Sequence, residues 1–176
     1  MKYLSEIAKE NYMNTKYLIL FFLITVKGFS QTLDKNIIKS DYSINYSSNW
    51  KLDETGRNGS DFILISSTFT GKFRNNINLL IQNLKGTNLN LDTFTELSKN
   101  QINSKGKLIT SRKKSANGKE FQELTFEVSI PDYNVKFLQY YFLKNEKAYI
   151  LTFTALNSEF DNLLPEVIQI MDSFQI

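Results

Sequence analysis

The sequence of 176 residues contains no cysteine and no histidine. Without cysteine there is no disulfide framework, no thiol chemistry and no lipid attachment of the bacterial lipoprotein kind. Without histidine the chain lacks the commonest general base near neutral pH and the commonest transition-metal ligand. Ser-His-Asp triads, zinc sites and haem ligation through histidine are therefore excluded. Carboxylate, lysine or tyrosine chemistry and an oxygen-lined site for a hard cation are the classes that remain.

The chain also lacks a strong net charge. It has 21 basic and 18 acidic residues, which give a formal net charge of +3 at pH 7. Four of the basic and two of the acidic residues lie in positions 1–30, so the remainder carries a net charge of about +1. A nucleic-acid-binding domain normally shows a strongly basic face. We therefore expect no nucleic-acid partner.

One apolar run, Tyr17–Val26, lies near the start of the chain between Lys16 and Lys27. A membrane-spanning helix needs about 20 apolar residues, so this run is too short to cross a bilayer. An apolar run of about 7 to 15 residues that follows a basic residue and precedes small residues is typical of a secretory signal peptide. The alternative is an uncleaved amphipathic N-terminal helix on a cytoplasmic protein.

The small side chains of Gly28 and Ser30 predict cleavage between Ser30 and Gln31, with cleavage after Gln31 as the alternative. Two glutamates precede the apolar run, where an export signal normally carries only positive charge, so we expect translation to begin at Met13. The predicted organisation is a signal peptide, residues 1–30, followed by a single domain, residues 31–176. The protein is expected to reach the periplasm or the medium, with no membrane span in the processed chain.

Seven strands are predicted after the leader. Apolar periodicity indicates strands over 41–50, 62–66, 77–84, 136–143 and 148–155, and Asn117-Gly118 is typical of a turn joining two further strands. In the second of these two strands apolar residues alternate with Glu123 and Glu127, which are therefore expected to face solvent.

The first of two predicted helices begins after Asn90, a residue suited to capping a helix. Its residues Leu91, Phe94, Leu97 and Ile102 form one stripe, which we expect to face the core.

The second predicted helix ends the chain. Ser158 with Asp161 resembles a capping box, and Pro165 is expected in the first turn or where the helix restarts. Its apolar stripe comprises Phe160, Leu163, Leu164, Val167, Met171 and Phe174.

Several strands carry apolar side chains on both faces, and such strands require cover on both sides. The predicted fold class is therefore α+β, a helix–sheet–helix sandwich around a mainly antiparallel sheet.

This order of elements resembles the PsbP-like family, which shares its fold with Mog1 and with bacterial domains related to DcrB. The resemblance covers Tyr42 to Ile176, and its markers are YSINYSSNW, LDTFTELSKNQI, AYILTFTA and the ending DSFQI. Ser47 stands where family members commonly have proline. The leader ending in FSQ and the richness in Asn, Lys and Ile are similar to those of exported Bacteroidetes proteins.

The resemblance implies a small, usually non-enzymatic domain that acts by binding or by assisting an assembly. PsbP proteins support the oxygen-evolving side of photosystem II, and Mog1 binds a small GTPase. Neither role transfers, because metal handling through histidine has no counterpart here and an exported protein does not meet a cytoplasmic GTPase. We expect no catalytic residue and no cofactor, and a partner that is another envelope or secreted protein.

The segment from Ser111 to Lys119 has the highest density of charged residues in the chain, and it gives a weak prediction of a surface patch that binds an anionic partner. The patch comprises Arg112, Lys113, Lys114 and Lys119. The favoured alternative is an edge hairpin that its lysines protect from aggregation.

Three acidic residues, Asp53, Glu54 and Asp61, flank a glycine-containing turn that could hold a cation through oxygens. Their spacing fits no calcium loop, and we expect no metal there. Glu123 and Glu127 lie about 13 Å apart along a strand, beyond the separation at which carboxylate pairs cleave glycosides.

Aromatic residues of the last two strands provide the basis for a second hypothesis, a carrier of a small apolar molecule between sheet and helix. They are Phe137, Tyr140, Tyr141, Phe142, Tyr149 and Phe153, and ordinary core packing is the alternative. A closed apolar cavity above about 300 Å³ favours the carrier, whereas an exposed apolar patch favours partner binding. A hydrolase that uses only carboxylates is a third, weaker hypothesis.

N-terminal sequencing of the exported protein tests the leader. We expect the chain to begin at Gln31 or Thr32, because signal peptidase cuts after small residues. An exported protein that retains Met1 or Met13 would contradict the prediction.

Overall fold

The computed structural model describes residues 32–69, 71–116 and 118–176, so the predicted leader lies outside the described residues and stays a prediction. Among these residues no helix is both long enough and apolar enough to cross a bilayer. The described elements are β1 (Lys35–Ile38), β2 (Ser43–Tyr46), β3 (Trp50–Asp53), β4 (Phe62–Ser66), β5 (Asn76–Asn83), α1 (Leu91–Lys105), β6 (Lys107–Ala116), β7 (Lys119–Ile130), β8 (Tyr133–Lys144), β9 (Lys147–Leu156) and α2 (Asn157–Asp172).

The main sheet has seven strands in the order β3-β4-β5-β9-β8-β7-β6, and every neighbouring pair is antiparallel. Strands β6 to β9 follow one another as hairpins. Gly118, with φ +74°, lies in the predicted turn between β6 and β7, and Asn145 and Glu146, both with positive φ, join β8 to β9. The predicted α+β class with a mainly antiparallel sheet is confirmed.

The predicted strand over 41–50 is two strands. Strand β2 pairs with β1 in a separate two-stranded sheet, and Trp50 begins β3 at the edge of the main sheet. The chain turns between them, where the backbone N–H of Trp50 donates to the carbonyl oxygen of Ser47. Trp50 keeps the even-numbered spacing of Tyr42, Ile44 and Tyr46 although the three residues between are polar, which explains why a single strand was predicted.

Helix α2 covers one face of the main sheet, the α2 face, together with the β1–β2 hairpin. Phe160, Val167 and Met171 of the predicted stripe are buried there, and Ile170 joins them. Burial of each such side chain contributes about 2 kcal/mol before chain entropy is subtracted. The largest side chains that are fully buried on this face are Trp50, Tyr140, Phe62 and Phe153.

Polar side chains also hold α2 to the sheet. Glu166 accepts hydrogen bonds from Ser47 Oγ at 2.6 Å and Trp50 Nε1 at 3.0 Å. The side-chain amide of the fully buried Asn75 donates to Glu159, which lies two helical turns before Glu166 on the same side of α2. Ser47, which replaces the common proline, therefore supplies a buried donor that proline lacks.

The predicted start of α2 is wrong in detail. Leu156 occupies the N-cap position without a side-chain cap, and Asp161 pairs with Lys136 at 3.2 Å instead of forming a capping box with Ser158. Pro165 lies in the helix interior. It removes the donor that would bond to the carbonyl of Asp161, which lies on the exposed side of the helix where water can replace that bond.

Helix α1 packs on the opposite face of the sheet, the α1 face, over β6, β7 and β8. Asn90 caps it as predicted, in a reciprocal capping box with Thr93. The helix ends against β7 at Gly106, where a Cβ atom would overlap the carbonyl oxygen of Glu127. Helices on both faces confirm the predicted sandwich.

Two predictions about side-chain exposure are wrong. Leu97 is 53% exposed because it lies at the margin of the stripe of α1, beyond the part that contacts the sheet. Glu123 is only 6% exposed, because β7 lies between β6 and β8 and Lys114 of β6 pairs with its carboxylate at 2.5 Å.

Replacing Glu166 with alanine is expected to destabilise the fold by about 2 to 4 kcal/mol, since Ser47 and Trp50 would each lose a buried acceptor. Chemical denaturation followed by tryptophan fluorescence measures the loss. Glu166→Gln keeps an acceptor oxygen and is the matched control. A loss no larger in Glu166→Ala than in Glu166→Gln would contradict the predicted role of these hydrogen bonds.

Alkaline pH is expected to destabilise the protein through buried tyrosines. Burial raises the pKa of Tyr42 and Tyr140 far above the ordinary value, and raises the pKa of Tyr141 to about 12. In the unfolded chain these phenols ionise near pH 10. Stability is therefore complete below about pH 10 and falls above it, by up to about 1.4 kcal/mol per pH unit for each tyrosine.

Urea unfolding at a series of pH values from 9 to 12 measures this slope. The control Tyr141→Phe should reduce the loss of stability per pH unit by the contribution of one tyrosine. Tyrosinate absorbance from all tyrosines near pH 10 in the still-folded protein would contradict the expected shift.

Candidate functional site

An open groove lies on the α1 face, between α1 and the strands that α1 leaves uncovered. Its volume is about 640 Å³. A helix is about 10 Å across and strands are about 4.8 Å apart, so one helix covers about two strands. Because α1 lies toward β6, β7 and β8, the same face of β5 and β9 is left beside it. The groove follows from one helix on a seven-stranded sheet.

The groove is mainly apolar. Its floor includes Leu80 of β5, Ile150 of β9 and Phe126 of β7, and its wall on α1 includes Phe94 and Leu97. Leu80 and Ile150 are half-buried and Leu97 is exposed, so apolar surface remains accessible along the groove. Accessible apolar surface gathered in a groove makes this groove a candidate interaction site.

A short chain of hydrogen bonds crosses the floor. The Tyr141 hydroxyl donates to Gln139 Oε1 at 2.5 Å, and Gln139 Nε2 donates to Thr152 Oγ1 at 3.0 Å. The Tyr141 ring meets the Phe94 ring edge-on at 5.3 Å between centroids. Burial raises the pKa of Tyr141 to about 12. The phenol is therefore protonated near neutral pH and a poor general base.

Lys105 carries the only charge among the described residues that line the groove. The other polar lining residues are amides and hydroxyls, including Gln82, Gln101 and Ser98. Such a surface suits contact with apolar groups and a few neutral hydrogen bonds.

The four basic residues of the predicted anionic patch do not point the same way. Register places Lys113 on the α1 face, where it pairs with Asp92 at 2.7 Å, and Arg112 and Lys114 on the α2 face. Lys114 pairs with Glu123, and Lys119 donates to the main-chain oxygen of Ile176. A role for these residues in binding an anionic partner stays a prediction.

The three acidic residues considered as a cation site each have a separate partner. Asp53 accepts from Thr55 and pairs with Arg57 at 3.0 Å, and the Thr55 hydrogen bonds hold the pKa of Asp53 below its ordinary value. Glu54 pairs with Lys39 at 2.7 Å, and Asp61 accepts from the Tyr42 hydroxyl. Within residues 32–69, 71–116 and 118–176 no three acidic groups converge to hold a metal ion.

The six aromatic residues considered as a pocket belong to two clusters. Strand alternation places Phe137 and Tyr141 on the α1 face. The other four are buried under α2, and they are Tyr140, Phe142, Tyr149 and Phe153. Of the six, only Tyr141 lines the groove.

Sequence reasoning missed most of the groove. Leu80, Gln139 and Ile150 were assigned to strands but not to a site, because a strand pattern does not show which neighbours a helix covers. The sequence did carry one signal, the small number of predicted helices compared with the number of predicted strands. One helix on each face cannot cover a sheet of this many strands.

Comparison with solved structures finds the same fold in bacterial proteins. The cyanobacterial PsbP (CyanoP) of Synechocystis sp. PCC 6803 aligns with a TM-score of 0.61 at 14% identity, over 87% of this chain and 98% of that chain. LpqN, involved in cell envelope biogenesis of Mycobacterium tuberculosis, aligns with a TM-score of 0.66 at 12% identity, over 80% of this chain and 88% of LpqN. At these identities the likeness shows the fold alone.

A search of curated protein sequences finds no match. The sequence model of the PsbP family, in contrast, matches residues 38–176. That match includes all of the main sheet and both helices, and it agrees with the fold of CyanoP. The chain therefore belongs to the PsbP family.

Proposed function

We propose that this protein is an exported, non-enzymatic PsbP domain that binds a protein partner or assists an envelope assembly, and that the partner binds in the groove beside α1. The observation that carries the proposal is the accessible apolar surface there, with Leu97 53% exposed on the wall. Such surface favours association with another apolar surface.

The open shape of the groove favours a protein segment over a small molecule. Sites for small molecules typically bury 70 to 90% of the ligand. Here Leu97, Gln101 and Lys105 on the helical wall are all exposed, so a small ligand would remain largely in contact with water. An amphipathic segment laid along α1 would cover the same strands and extend the helical layer, a common mode of peptide recognition.

The chemistry of the groove supports a role in binding. No carboxylate is among the described residues that line it, and the pKa of Tyr141 is about 12. An acid–base reaction near neutral pH needs a group that titrates there. The described lining offers none.

Export and an envelope role have separate support. The pattern of the first 30 residues predicts a signal peptide. LpqN, which shares the fold, is described as involved in cell envelope biogenesis. Together these support an exported protein whose partner is another envelope or secreted protein.

A carrier of a small apolar ligand is the second candidate. The groove volume of about 640 Å³ lies within the range of small-molecule sites, and its lining is mainly apolar. The same groove would then hold a lipid-like molecule instead of a protein segment.

Replacing Leu97 with aspartate should weaken partner binding by roughly 30-fold or more, because a carboxylate would be buried against apolar groups without a counter-ion. The measurement is affinity capture from the envelope fraction of the producing cell, followed by mass spectrometry. We expect one stoichiometric protein with the wild type and its loss with Leu97→Asp.

Ile38→Asp is the matched control, because Ile38 is 73% exposed and lies outside the groove. It should retain the captured protein. Circular dichroism should show that both variants are folded. Equal capture by wild type and Leu97→Asp would contradict binding in the groove. A lipid in the native mass spectrum, lost in Leu97→Asp, with no protein captured, would decide for the carrier.

A further inference from the structure

Exposed apolar side chains gather at one end of the main sheet, beyond Val128, which lies at that end of the groove. Phe69, after β4, is 44% exposed, and Ile130, at the end of β7, is 45% exposed. Phe73, before β5, contacts Tyr133, at the start of β8, with ring centroids 5.4 Å apart. This ring contact joins the two loops into one surface, which we call the aromatic tip: Phe69, Phe73, Ile130 and Tyr133.

The tip projects beyond the body of the sheet. Val135 of β8 pairs with Leu156, the last residue of β9. The β7–β8 ladder continues past that point, where Ser129 pairs with Asn134 and Ile130 pairs with Tyr133. Strand β9 has ended there, so these last pairs have no neighbouring strand on that side.

Two cations accompany the tip. Lys72 and Arg74 lie in the same loop as Phe69 and Phe73, and the Arg74 guanidinium lies 3.5 Å from the centroid of the Phe69 ring. Within the described residues of 67–75 there is no acidic side chain. Asp132, in the turn between β7 and β8, is the one carboxylate of the adjoining turn. On these two loops the cations outnumber the carboxylate, while Glu159 of α2, which accepts from Asn75, lies at the base of the tip and is only partly exposed.

We propose that the aromatic tip binds the surface of an anionic lipid bilayer. Aromatic rings are favoured at the level of the headgroups, where their apolar part is buried and their polar edge stays hydrated. Lys72 and Arg74 would pair with lipid phosphates, each cation strengthening attraction to an anionic leaflet. Arg74, stacked on Phe69, can bury its stem with the ring and keep its charged head at the phosphates.

The shape of the tip favours a lipid surface over a protein. Stable protein interfaces bury about 800 Å² on each partner, usually on a broad surface. The tip consists of a few side chains on two projecting loops, a shape suited to shallow insertion. With two cations and shallow insertion, binding should be reversible and should depend on anionic lipid.

The first experiment places a reporter at the tip of the full chain. Phe69→Trp should be quenched by vesicles of brominated phosphatidylglycerol, because the new indole would lie at the depth of the bromine atoms. Trp50 is 1% exposed and serves as a constant background. The control Ile38→Trp, at an exposed position outside the tip, should not be quenched. Because the readout is local, it separates the tip from lipid binding by any other part of the chain.

The second experiment tests charge. Lys72→Ala with Arg74→Ala should weaken the quenching-detected affinity of Phe69→Trp for anionic vesicles by about 30-fold. Arg74→Lys should retain the affinity. The control pair Lys85→Ala with Lys144→Ala removes equal charge at exposed positions near the opposite end of the sheet. Equal quenching at both tryptophan positions, equal loss in both double variants, or binding only to an acidic protein surface would each overturn the proposal.

Discussion

Strands β8 and β9 carry large apolar side chains on both faces, and the rest of the structure depends on covering both. On the α2 face the helix is joined by the β1–β2 hairpin, and together they enclose Trp50, Phe62 and Phe153. On the α1 face a single helix performs this role, so cover ends beside β9 and β5. The groove is the consequence of this difference. The proposed site for a partner thus lies where α1 leaves the apolar face of the sheet only partly covered.

The two helices are held in different ways. Helix α2 combines an apolar stripe with buried acceptors, since Glu166 receives hydrogen bonds from Ser47 and Trp50. Helix α1 is positioned by its capping box at Asn90 and by the close approach of Gly106 to β7. The α2 face is thus held by buried apolar contacts and by buried hydrogen bonds together. The α1 face, with exposed Leu97 and half-buried Leu80, is the face on which a further molecule can pack.

The charged residues illustrate how a sheet separates what the sequence places together. Arg112, Lys113 and Lys114 are adjacent in sequence, but side chains alternate across a strand. Lys113 reaches Asp92 of α1, whereas Lys114 reaches Glu123 on the other face. Glu123 was expected to face solvent because β7 alternates apolar and polar residues. Strand β7 lies between β6 and β8, so neighbouring side chains shield Glu123 from water. Lys114 pairs with the Glu123 carboxylate and so allows it to be buried.

The sequence by itself determined the α+β class, the antiparallel hairpins of the second half and the Asn90 cap, because period, turn residues and capping residues act over a few positions. It also excluded chemistry that depends on histidine or cysteine. Only the tertiary structure decided that Leu97 lies on a groove wall, that Pro165 lies within α2 and that Phe73 meets Tyr133. These features depend on which strands become neighbours and how far each helix extends over them. Such long-range pairings are set by the packing of the whole sheet, which no local pattern records.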